Sequence, residues 1–219
     1  LLGEGGARAG RRRRRRGVAA VRGAGGVGGP QGPCALRAAS AACHARALAP
    51  EATDWERIAA LYDALAQVAP SPVIELNRAM AVAMAFGPAE GLALADALVD
   101  EPSLAAYHLL PAVRGDLLAK LGRTDEARAE FERGSGIDPA SCAGYLAVAQ
   151  LHVAADEAAD AARVLRRARE HVELTAEVHR LLGESELRRG ELGAAERELR
   201  AALRLESRDT DALFGLGVT

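Results

Sequence analysis

The sequence predicts an all-α fold of stacked helix-turn-helix repeats, and three observations carry that prediction. The apolar fraction is 49% while aromatic residues make up only 3%, so the apolar content is mostly Ala, Leu and Val. Ala and Leu are good helix formers, and the β-branched and aromatic runs that mark strands are sparse. From about residue 33 to the end, helical periodicity continues with short breaks. Finally, a fixed spacing recurs along the second half of the chain.

The spacing is anchored on the helix-breaking positions Gly122, Asp156 and Gly190, which lie 34 residues apart. Five residues after each stands Ala127, Ala161 or Ala195; nine after stands Phe131, Leu165 or Leu199; twelve after stands Gly134, Ala168 or Ala202. Seven residues before each stands Gly115, Ala149 or Gly183. A small residue before the turn lets the second helix cross closely, and Ala is the matching contact on that second helix. The larger apolar residue four positions on fills the groove on the same face. Five register-matched columns at this period resemble tetratricopeptide repeats over residues 104–206. The resemblance implies a right-handed α-solenoid of about five helix pairs, with the first helix of each pair lining an inner surface. Arg114, His152 and Glu186 stand where the pattern favours large apolar residues, and are expected to weaken the packing without breaking the period.

The elements follow in order. Residues 1–32 are rich in Gly, Arg and Ala, with Arg11 to Arg16 unbroken. Such a segment buries too little apolar surface to offset its ordering entropy. It reads as a disordered tail or as GC-rich DNA translated out of frame; a basic arm for nucleic acid or an acidic partner is the other reading. Pro33 to Ala47 reads as a helix. Thr53 and Glu56 form a capping-box pattern opening a helix to about Val68. Ser71 and Pro72 suit the N-cap and first position of a helix to about Phe86. Gly87-Pro88 breaks it before a helix to about Asp100, and Pro102-Ser103 begins another. Residues 33–101 are thus degenerate repeats, 104–206 are three regular ones, and 210–219 begin a further helix.

Five phrases carry a second resemblance. They are Gly32 to Leu36 with Ala41 to Ala45, Thr53 to Ile58, Pro72 to Ala79, Ala83 to Pro88, and Tyr107 to Leu118. Together, over residues 33–133, they resemble the tetratricopeptide-like C-terminal extension of a subgroup of extracytoplasmic-function sigma factors of RNA polymerase. The resemblance implies a bacterial, cytoplasmic, regulatory protein-interaction module in transcription initiation. Its implied partner is a protein, RNA polymerase or the sigma factor's own core domains. The promoter-binding domains of such a factor are absent from this sequence, so no direct promoter binding is expected of it. A tetratricopeptide scaffold unrelated to transcription is the alternative. Because the sequence starts with Leu, it is expected to be a fragment, and the two ordinary repeats that follow Gly136 to Pro139, where the sigma-factor pattern winds down, imply an extended variant or a joined reading frame.

Composition narrows the remaining classes. Residues 1–30 carry eight Arg and one Glu, and the rest of the chain carries 20 basic and 29 acidic residues. A body that acidic is poorly suited to general nucleic-acid binding. No apolar run reaches the length of a membrane span. Cys34, Cys43 and Cys142 form neither a disulfide framework nor a CxxC pair, and are expected to be small buried residues in a reducing compartment. The five histidines never pair at helical i,i+3 or i,i+4 spacing, and no nucleophile or phosphate-loop motif occurs. No catalytic activity, cofactor or metal is therefore expected. Asp156, Glu157 and Asp160 are expected as exposed charges at a helix N-terminus.

The candidate partner-binding residues are Glu75, Asn77, Arg78, Tyr107, His108, Arg114 and Asp116. Glu75, Asn77 and Arg78 lie on a first helix, where polar groups either bond a partner or lock neighbouring helices together. Tyr107 and Arg114 are of the residue types favoured as interface anchors, and Arg114 with Asp116 is alternatively a surface pair.

Overall fold

The computed structural model describes residues 32–46 and 53–218, and the expectations for the N-terminal tail lie outside those residues. The described residues form eleven α-helices and one 3-10 turn, with no strand among them. They divide into two compact units, one ending at Gly122 and one beginning at Arg123.

The first unit contains α1 (Pro33–Arg46), α2 (Trp55–Val68), α3 (Pro72–Phe86), α4 (Pro88–Asp96), the 3-10 turn Pro102–Leu104, and α5 (Leu109–Lys120). Each helix packs on the next, and α3 also touches α5. Leu36, Leu61, Leu65 and Ile74 bury the junction of α1, α2 and α3. Leu76, Ala79, Ala95, Leu104 and Leu110 bury that of α3, α4 and α5. At the α3–α4 crossing a Cβ on Gly91 would stand 2.5 Å from Ala83 Cβ and 2.7 Å from the Ala79 carbonyl oxygen. Only glycine allows that approach.

Three local expectations shift. The α2 cap is Asp54 rather than Thr53: its carboxylate accepts from the Arg57 amide at 3.0 Å, satisfying an unpaired first-turn donor. α4 stops at Asp96 instead of Asp100. The helix expected from Pro102 is a 3-10 turn, and α5 starts only at Leu109. Pro111 explains the restart, because a proline is tolerated in the first turn of a helix and not in its interior. Cys34 is exposed and Cys43 and Cys142 are half-buried. They sit at the margins of the core rather than within it.

The second unit contains α6 (Thr124–Ile137), α7 (Cys142–Ala154), α8 (Ala158–Ala168), α9 (Ala176–Arg188), α10 (Leu192–Leu205) and α11 (Thr210–Val218). Successive helices pack, and α9 also meets α7 and α11, so first helices touch first helices. The columns predicted by spacing form the core: Ala127, Ala161 and Ala195 are completely buried, as are Leu165, Leu199, Ala168 and Ala202. A Cβ on Gly183 would lie 2.7 Å from Leu199 Cγ, which is the close crossing that the small residue before the turn was expected to permit.

The turns confirm the register. Gly122, Asp156 and Gly190 all have positive φ, at 74°, 61° and 77°. In two of them the chain closes identically, with the Glu157 amide donating to the His152 carbonyl at 2.8 Å and the Glu191 amide to that of Glu186 at 2.9 Å. This is a left-handed residue ending a helix and capping its last carbonyls.

Candidate functional site

The residues singled out in the first unit have distinct fates. Arg78 is bound internally: its Nη1 donates to Glu75 Oε2 at 2.6 Å and its Nε lies 2.9 Å from Asp63 Oδ1 on α2. It acts as a polar lock between α2 and α3, while Asn77 on the same helix is exposed. Arg114 donates to Asp96 at the end of α4, at 3.0 Å. Asp116 pairs with Lys120 at 2.7 Å. The Arg114–Asp116 surface pair is therefore replaced by two others, because residues two apart on a helix face different ways. Tyr107 packs against the Leu76, Ala79 and Leu104 cluster, with its ring centroid 6.2 Å from that of His108. α3 and α5 touch; Asn77 lies on the first, and Tyr107 and His108 immediately precede the second.

The second unit holds a cavity of about 450 Å³ between α6 and α8, on the flank of α7. Its volume lies within the roughly 300–1,000 Å³ of small-molecule sites. Tyr145, Val148 and Val164 form an apolar floor, and Arg167, His171 and Glu132 stand at the rim. The Tyr145 and His171 rings stack, with centroids 6.2 Å apart and planes at 12°. Sequence reasoning missed these residues because they come from three segments and show no spacing of their own. A usable signal existed in Tyr145, one of only three tyrosines, standing 34 residues before His179 in the repeat.

One repeat later, a groove of about 340 Å³ is bordered by Arg169, His179, Ala201 and Leu205. An internal ion cluster lies at its edge, on Arg169 and His179. Arg169 donates to Glu198 Oε1 at 2.7 Å, and His179 Nδ1 lies 2.8 Å from Glu198 Oε2. Burial pushes the Glu198 carboxyl up, but the bonds from Arg169 and His179 outweigh it and hold the group below its ordinary value.

The polar residues expected to loosen the repeats are buried and partnered. His152 is 5% exposed and its Nδ1 lies 2.6 Å from Glu157 Oε2. Glu186 is 1% exposed and bonds Arg166 of α8 and, at 2.6 Å, Arg189 just past the end of its own helix. A buried carboxylate is costly unless paired in this way. The Asp156–Asp160 turn is likewise more than a row of solvated charges. Ligand atoms of His152, Glu157 and Asp160 lie within 4.8 Å of one another. Arg128 approaches Glu157 at 3.5 Å and Arg163 bonds Asp160 at 2.6 Å. The Arg163 hydrogen bond holds the Asp160 carboxyl below its usual range. Two guanidinium groups thus already supply the positive charge that a cation would bring.

No protein-family model matches the chain. Over 124 residues, 56% of its length, it is 45% identical to an uncharacterized protein of Rhizobium meliloti (strain 1021), of which it spans 29%. Among solved structures it resembles TTC0263, a thermophilic tetratricopeptide protein of Thermus thermophilus, at a TM-score of 0.62 and 16% identity. That match covers 85% of this chain and 98% of the other. MamA from Desulfovibrio magneticus RS-1 matches equally, at 0.62 and 16%, over 81% and 97%. YrrB, a tetratricopeptide protein with an unusual peptide-binding site, matches at 0.59 and 18% identity over 73% of this chain and 82% of its own. At these identities the likeness is one of fold, and the helix pairs described here are tetratricopeptide-type repeats. No helix among the described residues is long and apolar enough to cross a membrane.

Proposed function

We propose that this chain is a protein-interaction module, and that it serves as the regulatory C-terminal extension of a bacterial sigma factor in the cytoplasm. The observation that carries the interaction reading is the division of labour within the repeats. Small-residue columns consume the helix-helix contacts, leaving other positions of the first helices, such as Asn77, exposed. Stacked helices of this kind present extended surfaces suited to a partner's helix or strand-like segment. The transcription role is supported by the sequence phrases of residues 33–133 alone. Fold by itself does not give function.

The experiment is a pull-down from a high-GC bacterial lysate with the tagged chain as bait. The expected result is recovery of RNA polymerase subunits or of a sigma factor's N-terminal domains, reduced by Asn77→Ala. Recovery of an unrelated complex, with no transcription protein, would overturn the sigma-factor role and leave a tetratricopeptide scaffold of other purpose.

A further inference from the structure

The two grooves of the second unit occupy the same structural position one repeat apart. Tyr145 corresponds to His179, Val164 to Glu198, Arg167 to Ala201 and His171 to Leu205, each pair separated by 34 residues. Beside the later groove the protein supplies its own anion: Glu198 accepts from Arg169 and pairs with His179. Its side chain is only 14% exposed, so the frame between these helices accommodates a carboxylate held largely away from water.

The earlier groove lacks that carboxylate, because Val164 stands in place of Glu198. Its cations are also disposed differently. Arg163 is held by Asp160 through two bonds. The Arg167 side chain has no hydrogen bond or ion pair among the described residues, and the His171 ring makes only its contact with Tyr145. His171 offers a ring N–H donor in either protonation state. Glu132, exposed on the opposite lip, disfavours a second negative charge.

We propose that the groove beside Tyr145 binds a peptide segment of the partner protein, with one apolar side chain on Tyr145, Val148 and Val164 and an adjacent carboxylate between Arg167 and His171. Ser135 and Tyr145 stand where the later repeat has Arg169 and His179, so this groove carries its cations on Arg167 and His171 instead. Arg favours this task because its planar fork matches a carboxylate. A floor of tyrosine and valines next to a donor pair is the usual composition of an orienting pocket. The site rests on the protein-interaction reading and gives it a chemical preference: a peptide with a single acidic residue beside a large apolar one.

The test is a titration of the isotope-labelled full chain, followed by NMR. The probes are the acetylated and amidated tetrapeptide Ala-Phe-Glu-Ala and its Gln counterpart. The acidic peptide is expected to shift the amides of Tyr145, Val148 and Val164, and to bind about tenfold tighter than the Gln peptide. Arg167→Gln, at an exposed position, should abolish that preference. Val164→Glu should close the groove with an internal carboxylate and abolish binding. Equal affinity for the two peptides would overturn the proposal, as would the absence of shifts at those residues with millimolar peptide. Equal affinity for 3-phenylpropionate would also overturn it, by making the groove a site for small free carboxylates. Should the parent chain capture its partner from the lysate while the acidic peptide fails to bind it, the pocket falls and the interaction reading stands.

Discussion

The grooves beside Tyr145 and His179 share a backbone and differ in their chemistry. Both lie between two second helices, over the flank of a first helix, and both are framed by buried alanines in the same register. One keeps an apolar floor beneath an Arg167 side chain that is unpaired among the described residues; the other is bordered by the Arg169–Glu198–His179 cluster. The difference teaches that the small-residue columns and the large apolar column beside them hold the repeat whichever chemistry the groove carries. Positions outside them are free to close a groove with an internal ion cluster or to leave it open. The first unit follows the same rule, where Arg78 is spent on Asp63 and Glu75 while Asn77, its neighbour in sequence, stays exposed.

The largest expected effect comes from breaking the shared frame. Ala161 is completely buried at the α7–α8 crossing, as Ala195 is at α9–α10. Ala161→Arg adds volume to a packed contact and buries an unpaired charge, which together should cost about 4 kcal/mol or more. Urea unfolding of the full chain checks this. Arg163→Ala, two residues on and 70% exposed at the side chain, should shift stability by less than about 0.5 kcal/mol. Similar stabilities for the two variants would show that the columns do not carry the fold.

Much of that frame was legible in the sequence for a physical reason. A close helix crossing admits only small residues, and a left-handed turn favours Gly, so both leave a mark at fixed spacing. Thus Gly183, Ala195 and Gly190 could be placed from spacing alone. The polar partners could not. Arg78 and Asn77 look equally available on a helical wheel, and only the third dimension supplies Asp63. His152 and Glu186 looked like packing defects because their partners come from Glu157 across the turn and from Arg166 on the preceding helix. The floor of Tyr145, Val148 and Val164 was hidden for the same reason, since α7 and α8 meet only after folding.

A smaller effect should come from unlocking the closed groove. The Glu198 carboxyl has a lower proton affinity in the folded chain than its ordinary value of 4.5. Its contribution is therefore complete above that value and is lost as the pH falls through the lower folded value. Glu198→Gln removes two charge-assisted contacts at a site partly open to solvent, and should cost about 1–2 kcal/mol at neutral pH. The variant's stability should also fall less steeply than the parent's as the pH drops below about 4.5. Chemical denaturation across that range measures both. Parallel profiles for the two proteins would mean that the cluster adds nothing to the fold, and that the closed groove is closed by packing alone.

The smallest effect sharpens the comparison at the turns. Asp156 holds φ at 61° where its counterparts one repeat before and after are glycines at 74° and 77°. A left-handed conformation strains a residue with a Cβ, though less for Asp than for most. Its side chain is 92% exposed and lies 3.6 Å from Arg188, a solvent-exposed pair of little worth. Asp156→Gly relieves the strain, loses that pair, and makes the unfolded chain more flexible, which opposes the gain. The balance should be a stabilisation of about 0.5 kcal/mol, whereas Gly190→Ala, forced into the same conformation, should destabilise by about 1 kcal/mol. Opposite signs in paired melts would show that the two turns are one structural position occupied by different residues. A loss of stability in both would mean that Asp156 is held in place by more than the turn, with its pair to Arg188 the first contribution to measure.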